Sequence, residues 1–478
     1  MKILFIASEM VPYAKTGGLA DVAGALPKAL AALGHEVVVI MPKYKMEGNF
    51  EFERVYDNFP VQMLHSIEYA GVYKAKGTDK NLTVFFISNA KYFDREGLYQ
   101  VRGIDFPDNC ERFSFFCKAV MEYFKKSLFF PEVLHANDWQ TALAIAYAKN
   151  IYNWKKTALV YSVHNLGYLG IFPKEQILQT GFDWNMFTPD ALEFYDNLAL
   201  AKAGFVFADV ICTVSETYAK EIQTKEFGHG LDGLLRSRKD NLFGILNGID
   251  YDVWDPEHDK QIVKNYNSSE INLKYANKKA LQKANGLPQK QSIPLIGMIT
   301  RLADQKGFDI LSEALDNIMN LKCQLVVLGT GDQKYHSLLQ EAKKKHPNNI
   351  GINLGFDSAL AQLIYAGSDM FLMPSRYEPC GLGQLISFKY GAIPIVRKTG
   401  GLADTVHDYN PTTGKGDGFV FEEYSSDKLL DAVKRAIEMY ENKKEWASIV
   451  KKVMCYDYSW KQSAAKYIDL YRKTLQKL

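Results

Sequence analysis

The stretch KILFIASEMVPYAKTGGLADVAGALPKALAAL, residues 2–33, decides how the chain is read. A short apolar run, expected as a strand over 3–7, is followed by a Pro-Tyr-Ala-Lys connection and by Thr16-Gly17-Gly18. A helix-forming run rich in alanine and leucine comes next. Strand, glycine turn and helix in that order open a right-handed βαβ unit.

The same punctuation recurs along the chain. Strands are expected at 3–7, 36–41, 82–87, 133–135, 158–163 and 210–214, and a second series at 294–299, 324–328, 350–354, 370–373, 393–396 and 418–421. Helix-length amphipathic segments separate them, so each series builds a parallel-sheet, Rossmann-like domain. The length of 478 residues is too great for one ordinary core. The expected fold class is therefore α/β with two Rossmann-like domains. NGIDYDVWDPEHD at 247–259 and the polar stretch 260–270 read as the crossing between them. At 456–475, Ser459 is a candidate N-cap, and Trp460, Ala464, Tyr467, Leu470 and Tyr471 share one face of a packed helix. The expected divisions are 1–246, 247–456 and 457–478.

A hydrophobic fraction of 47%, with 57 Lys plus Arg against 55 Asp plus Glu, describes an ordinary globular chain with no electrostatic case for nucleic acid or a membrane surface. No apolar run reaches membrane length, and KILFIASEM lacks a signal-peptide cleavage region. Six scattered cysteines form no CxxC or zinc-type spacing, which points to a reducing, cytoplasmic setting without a bound metal.

Ligands of open α/β sheets bind beyond the carboxyl ends of the strands, so the candidate site lies in the loops there. KTGGLADV (15–22) recurs as KTGGLADT (398–405), each after an expected strand and before a helix. Adjacent glycines admit a ligand close to the backbone, and amides at a helix start donate to anions or sugar oxygens; the plainer reading is a pair of turns using glycine only for positive φ. Asp21 and Asp404 occupy the same place after the two glycine pairs, where a carboxylate favours a helix start or meets sugar hydroxyls and neighbouring cations. In TRLADQKGFDIL (300–311), Arg301 and Lys306 suit a diphosphate. In MPSRYEPCGLGQL (373–385), Glu378 precedes a turn of Cys380, Gly381 and Leu382 whose amides open a helix, an odd place for an acid unless it meets hydroxyls or a developing positive centre. Cys380 has no evident partner base and reads as a packed small residue. Asp138 in HANDWQ (135–140) and His164 in YSVHNLGYLG (161–170) are the first-half polar candidates. Asp250 and Asp252 form a DxD, a short metal-binding pattern with no strand before it to aim both carboxylates.

Together KTGGLADV, HANDWQ, YSVHNLGY, NGID, RLADQKG, EPCGLGQL, KTGGLADT and YDYSW, in that order, resemble bacterial glycogen synthases and plant starch synthases across essentially the whole chain. The resemblance implies the GT-B architecture, two facing Rossmann-like domains with a deep interdomain cleft and a C-terminal helix returning to the first. It implies retaining transfer of glucose from ADP-glucose, or in some members UDP-glucose, to the nonreducing end of an α-1,4-glucan such as glycogen, with no cofactor. By the same resemblance Lys15, Gly17 and Gly18 approach the donor phosphates and glucose; the repeat of the loop, rather than the resemblance, makes Thr399, Gly400 and Gly401 the expected opposing jaw. Arg301 and Lys306 clamp the diphosphate, Glu378 meets the glucosyl unit, and His164 lies near its hydroxyls. Asp21, Asp138 and Asn247 surround the donor sugar, and Phe356 stacks on adenine. Lys398 has only the repeat behind it.

Two departures stand out. Ile386 replaces the second glutamate of many retaining relatives of this architecture, and Gly383 replaces a hydroxyl or amide residue. The alternatives are another nucleotide-sugar enzyme of the same architecture, such as a sucrose- or trehalose-type transferase or an epimerase, and a weakly catalytic glucan-binding protein.

Overall fold

A computed structural model describes residues 1–46, 48–63 and 66–478. The chain forms two compact units, one of Met1–Asn247 with Trp460–Leu478 and one of Gly248–Ser459.

Among the described residues, unit 1 is built on a nine-stranded sheet in the order Leu242–Gly244, Val210–Thr213, Ala158–Val163, Val133–Asn137, Lys2–Ile6, Glu36–Pro42, Leu82–Ser88, Ile67–Ala75, Phe52–Gln62. The strands from Leu242–Gly244 to Leu82–Ser88 pair in parallel. Their continuous apolar runs follow from burial on both faces: every residue of Ala158–Val163 is buried, as are all but the first of Glu36–Pro42.

The last two strands form an antiparallel hairpin that the sequence reading does not place. Charges and two register shifts, between Arg54 and Tyr56 and between Tyr56 and Phe59, break the alternation that would mark a strand. Exposed Glu53 and Asp57 leave that sheet edge charged, which discourages pairing with another chain.

The helix Trp460–Leu475 packs on the helix Gly18–Ala32 and on the strand Ala158–Val163, completing unit 1. Trp460, Ala464, Tyr467, Leu470 and Tyr471 are all buried. Tyr471 OH meets Nδ1 of the buried His135 at 2.7 Å, and Ser162 Oγ meets its Nε2 at 2.7 Å. Burial lowers the His135 pKa to about 3, so the ring stays neutral under this helix.

Unit 2 holds a six-stranded parallel sheet in the order Ile350–Leu354, Gln324–Gly329, Leu295–Ile299, Met370–Met373, Ile393–Arg397, Phe419–Phe421. The polar stretch 260–270, read above as a crossing, is tied into this unit. Ile262 and Tyr266 are buried, the Tyr266 hydroxyl donates to the Tyr390 carbonyl at 2.7 Å, and Asn277 Oδ1 accepts the amides of Val263 and Lys264. Two apolar anchors and a side-chain clamp suffice, and neither produces a periodic pattern.

Candidate active site

In both sheets the unit's first strand lies inside, with the second and third parallel strands to one side and the later ones to the other. Strand order reverses between Lys2–Ile6 and Val133–Asn137 in unit 1, and between Leu295–Ile299 and Met370–Met373 in unit 2. In each unit the loops after its two strands flank that sheet's own switch-point crevice, where open α/β sheets hold ligands. They carry KTGG, HANDWQ, RLADQKG and SRYEPCG.

In unit 2 the two loops are joined. Lys306 Nζ donates to Glu378 Oε2 at 2.6 Å, and Ser375 Oγ donates to the same oxygen at 2.9 Å. Glu378 is only 7% exposed. A buried carboxylate needs such partners, because an unpaired charge there costs several kcal/mol, on the order of 3–5. The Arg376 amide donates to the Gln305 carbonyl, Gln305 Nε2 to the Tyr377 carbonyl, and Arg301 to Gln305 Oε1 at 3.3 Å, so backbone and side chains fix the loops' spacing. Arg301 itself is exposed. The pair of cations and the acid thus sit together at the switch point of one sheet.

The second KTGG copy braces this acid. The Gly401 amide donates to the carbonyls of Glu378 and Pro379, both at 3.1 Å. A Cβ on Gly401 would lie 2.0 Å from the Cys380 carbonyl oxygen, and Gly400 adopts φ +44 with its own Cβ position 1.9 Å from the Glu378 carbonyl oxygen. Thr399 and Cys380 are buried, and Gly381 turns the chain at φ +70 ahead of Leu382 and the helix Gly383–Lys389. In the first copy nothing lies within 4 Å of a Cβ on Gly17 or Gly18, and neither has positive φ. The turn-only explanation of glycine therefore fails for that copy, whose glycines face open space.

The carboxylates of the two copies also differ. Asp21 lies in the first turn of the helix Gly18–Ala32, whereas the helix Gly400–Thr405 starts one residue earlier in the repeat and leaves Asp404 outside its first turn. Lys398 pairs with Glu422 at 2.6 Å on the surface.

In unit 1, Asp138 is a non-glycine residue held at φ +58 directly after its strand. Such backbone strain clusters at functional sites. Its Oδ1 accepts the His164 amide at 2.7 Å. Burial raises the Asp138 pKa to about 7, against hydrogen bonds from the His164 and Asn165 amides. His164 Nε2 lies 3.0 Å from Asn137 Oδ1, and the Asn137 amide is committed to the Ile6 carbonyl at 3.0 Å, which fixes the amide's orientation. His164 thus donates through Nε2, and its Nδ1 is an acceptor. Burial lowers its pKa to about 4, keeping the ring neutral.

Lys15 Nζ forms a bidentate pair with Asp21 at 2.7 and 2.8 Å, and its side chain remains 40% exposed. The Gly17 amide donates to Glu9 Oε2 at 3.2 Å, a partner the sequence reading missed. The only signal was an acid three residues past the end of an apolar strand.

Asn247 is buried with its Oδ1 lacking a partner among the described residues. Phe356, two residues after the strand Ile350–Leu354, is 84% exposed, a bare ring at the carboxyl edge of the sheet. The departures have physical causes: Ile386 is buried in the unit 2 core, and a Cβ on Gly383 would meet the Phe371 ring at 2.9 Å and Met373 sulfur at 3.2 Å. Asp250 Oδ1 accepts the Asp252 amide at 3.0 Å, so the DxD closes its own turn.

A model of the starch synthase catalytic domain matches residues 2–237, and one of group 1 glycosyl transferases matches residues 277–453. The chain is 47% identical to a glycogen synthase of Geotalea daltonii over 100% of this chain and 99% of that one, and 48% identical to a glycogen synthase of Thermosipho melanesiensis over 100% of both. Its structure is similar to the catalytic domain of starch synthase IV from Arabidopsis thaliana solved with ADP and acarbose, with a TM-score of 0.91 and 34% identity over 99% of each chain. A sucrose-phosphate synthase from Thermosynechococcus elongatus shares the fold, with a TM-score of 0.62 at 16% identity over 100% of both chains. The chain belongs to the glycogen synthase and starch synthase family of two-domain GT-B glycosyltransferases.

Proposed function

We propose that this glycosyltransferase moves the glucosyl unit of ADP-glucose to the nonreducing end of an α-1,4-glucan, with glycogen as the polymer and retention at the anomeric carbon. The pairing of Lys306 with Glu378 at the switch point of unit 2 carries this reading. The ADP bound in the starch synthase relative supports the adenine nucleotide over UDP-glucose.

Arg301 and Lys306 take the diphosphate, and Phe356 offers its exposed ring to adenine. Cleavage of the sugar–phosphate bond places negative charge on the leaving diphosphate and positive charge on the sugar ring. The two cations stabilise the first, and the Glu378 carboxylate the second. The acceptor hydroxyl attacks from the face the diphosphate leaves, and its proton passes to the departing phosphate oxygen. Donor binding precedes these steps: Lys306 exchanges Glu378 for phosphate, which frees Oε2 to accept from a sugar hydroxyl. The Cys380-Gly381-Leu382 turn donates to phosphate, while Thr399, Gly400 and Gly401 hold the acid's backbone. Lys15, Gly17, Gly18, Asp21, Asp138 and Asn247 serve donor binding from unit 1, and His164 Nδ1 accepts from a glucosyl hydroxyl. The reaction takes place in the cytoplasm and needs no metal.

One radiolabel assay tests the reading. Glucose from ADP-glucose is expected in glycogen in preference to that from UDP-glucose. Nucleotide release with fructose or glucose 6-phosphate, without glucan elongation, would overturn it.

A further inference from the structure

Glu9 has no part in the transfer described above, yet it follows the central strand of unit 1 and is 4% exposed. Its Oε2 accepts the backbone N–H of Thr16 and, at 3.2 Å, that of Gly17. The Thr16 hydroxyl donates to Oε1 and Oε2 at 3.0 and 3.1 Å, and the Tyr99 hydroxyl donates to Oε1 at 3.2 Å. Ser8 Oγ meets that tyrosine hydroxyl at 2.7 Å. One buried carboxylate therefore gathers two loop amides and two hydroxyls.

Those amides are the ones expected to serve an anion at a glycine-rich helix start. Here they are satisfied from inside the protein. The loop's remaining charged donor is Lys15, one residue before Thr16, aimed by its bidentate pair with Asp21.

We propose that Glu9 is the positioning residue of the KTGG loop: it takes up the Thr16 and Gly17 amides internally and so fixes the backbone that presents Lys15 to the donor. The inference rests on the transfer reaction proposed above. It explains why an acid stands beside a loop assigned to phosphates, since the acid faces the loop's backbone from the protein side. It also separates the two oxygens. Oε2 carries both amides, whereas the groups at Oε1 are hydroxyls, which can accept as well as donate. A glutamine whose carbonyl replaces Oε2 and whose amide replaces Oε1 would keep the loop in place. An alanine would orphan both amides.

The test compares Glu9→Ala, Glu9→Gln, Lys15→Ala and the Glu9→Ala/Lys15→Ala double variant in the full chain. Hydrogen exchange of the segment 15–18 reads the loop without reference to activity, so it still decides the loop's anchoring if wild-type transfer itself fails. Expected are faster exchange in Glu9→Ala and near wild-type exchange in Glu9→Gln. With ADP-glucose and glycogen, kcat/KM falls by about 10²-fold in Glu9→Ala, the usual scale for misplacing a substrate contact, and by less than about tenfold in Glu9→Gln. Because Glu9 acts through Lys15, adding Glu9→Ala to Lys15→Ala costs less than about threefold more. Multiplying penalties in the double variant, unchanged exchange, or a Glu9→Ala rate within about threefold of wild type would overturn the proposal. If Glu9→Ala does not fold, Thr16→Val removes the hydroxyl that contacts both carboxylate oxygens while keeping the side chain's shape, and its coupling to Lys15→Ala decides the same question.

Discussion

Lys306 Nζ and Glu378 Oε2 stand 2.6 Å apart, so the cation and the acid of the proposed chemistry are each other's partners. In the proposed reaction the diphosphate competes with Glu378 for the lysine. Lys306→Ala is expected to lower kcat by about 10²–10³-fold, the scale of one lost preorganised contact to developing charge. It also leaves Glu378, 7% exposed, with Ser375 as its remaining side-chain donor. Adding Glu378→Gln should therefore restore melting temperature without restoring turnover; calorimetry and the radiolabel assay measure the two separately.

The two glycine pairs predict different outcomes. Gly17→Ala meets nothing within 4 Å, and its backbone suits alanine, so stability should hold or rise by about 0.4–1 kcal/mol. Any loss in donor affinity then reports the ligand alone. Gly401→Ala has no such freedom, with the Cys380 carbonyl oxygen 2.0 Å from the new atom. It should destabilise unit 2 by at least about 1–3 kcal/mol and displace Glu378, visible as a lower melting temperature with lost activity.

Phe356→Ala should leave stability unchanged, because the ring is 84% exposed. Stacking on a base is worth about 1–3 kcal/mol, so ADP affinity by titration calorimetry should weaken by roughly tenfold or more. An unchanged dissociation constant would remove Phe356 from the adenine site.

Stability should vary with pH in opposite senses at two neighbouring residues. The His164 pKa falls from 6.5 to about 4, so between those values the unfolded chain binds the extra proton and stability rises with pH. The Asp138 pKa rises from 3.8 to about 7, so over that range the folded chain holds the extra proton and stability falls with pH. Asp138→Asn should steepen the rise in stability between pH 4 and 6.5, and His164→Asn should flatten or reverse it. Denaturant midpoints at pH 4.5, 5.5 and 6.5 would decide, and equal slopes in both variants would contradict this assignment.

Much of this architecture was legible because parallel strands are buried on both faces and read as unbroken apolar runs, as at 158–163 and 393–396. The candidate loops were legible because ligands of open α/β sheets gather beyond strand ends, which put Lys306 and Glu378 in view before their contact was known. The edge hairpin was not, since charge and bulges erase its alternation. Glu9 was missed because its role lies in a side chain reaching seven residues ahead to a backbone amide. The repeat left its own difference unread: near-identical letters encode an open glycine pair in one copy and a packed pair in the other, and only the surrounding backbone distinguishes them.

The helix Trp460–Leu475 belongs to unit 1, while the whole of Gly248–Ser459 precedes it in the chain. On the ribosome, unit 2 is synthesised in full while the first unit still lacks the helix that covers His135. The earlier-made half is thus the later one to finish, its face under that helix incomplete until the last residues are made.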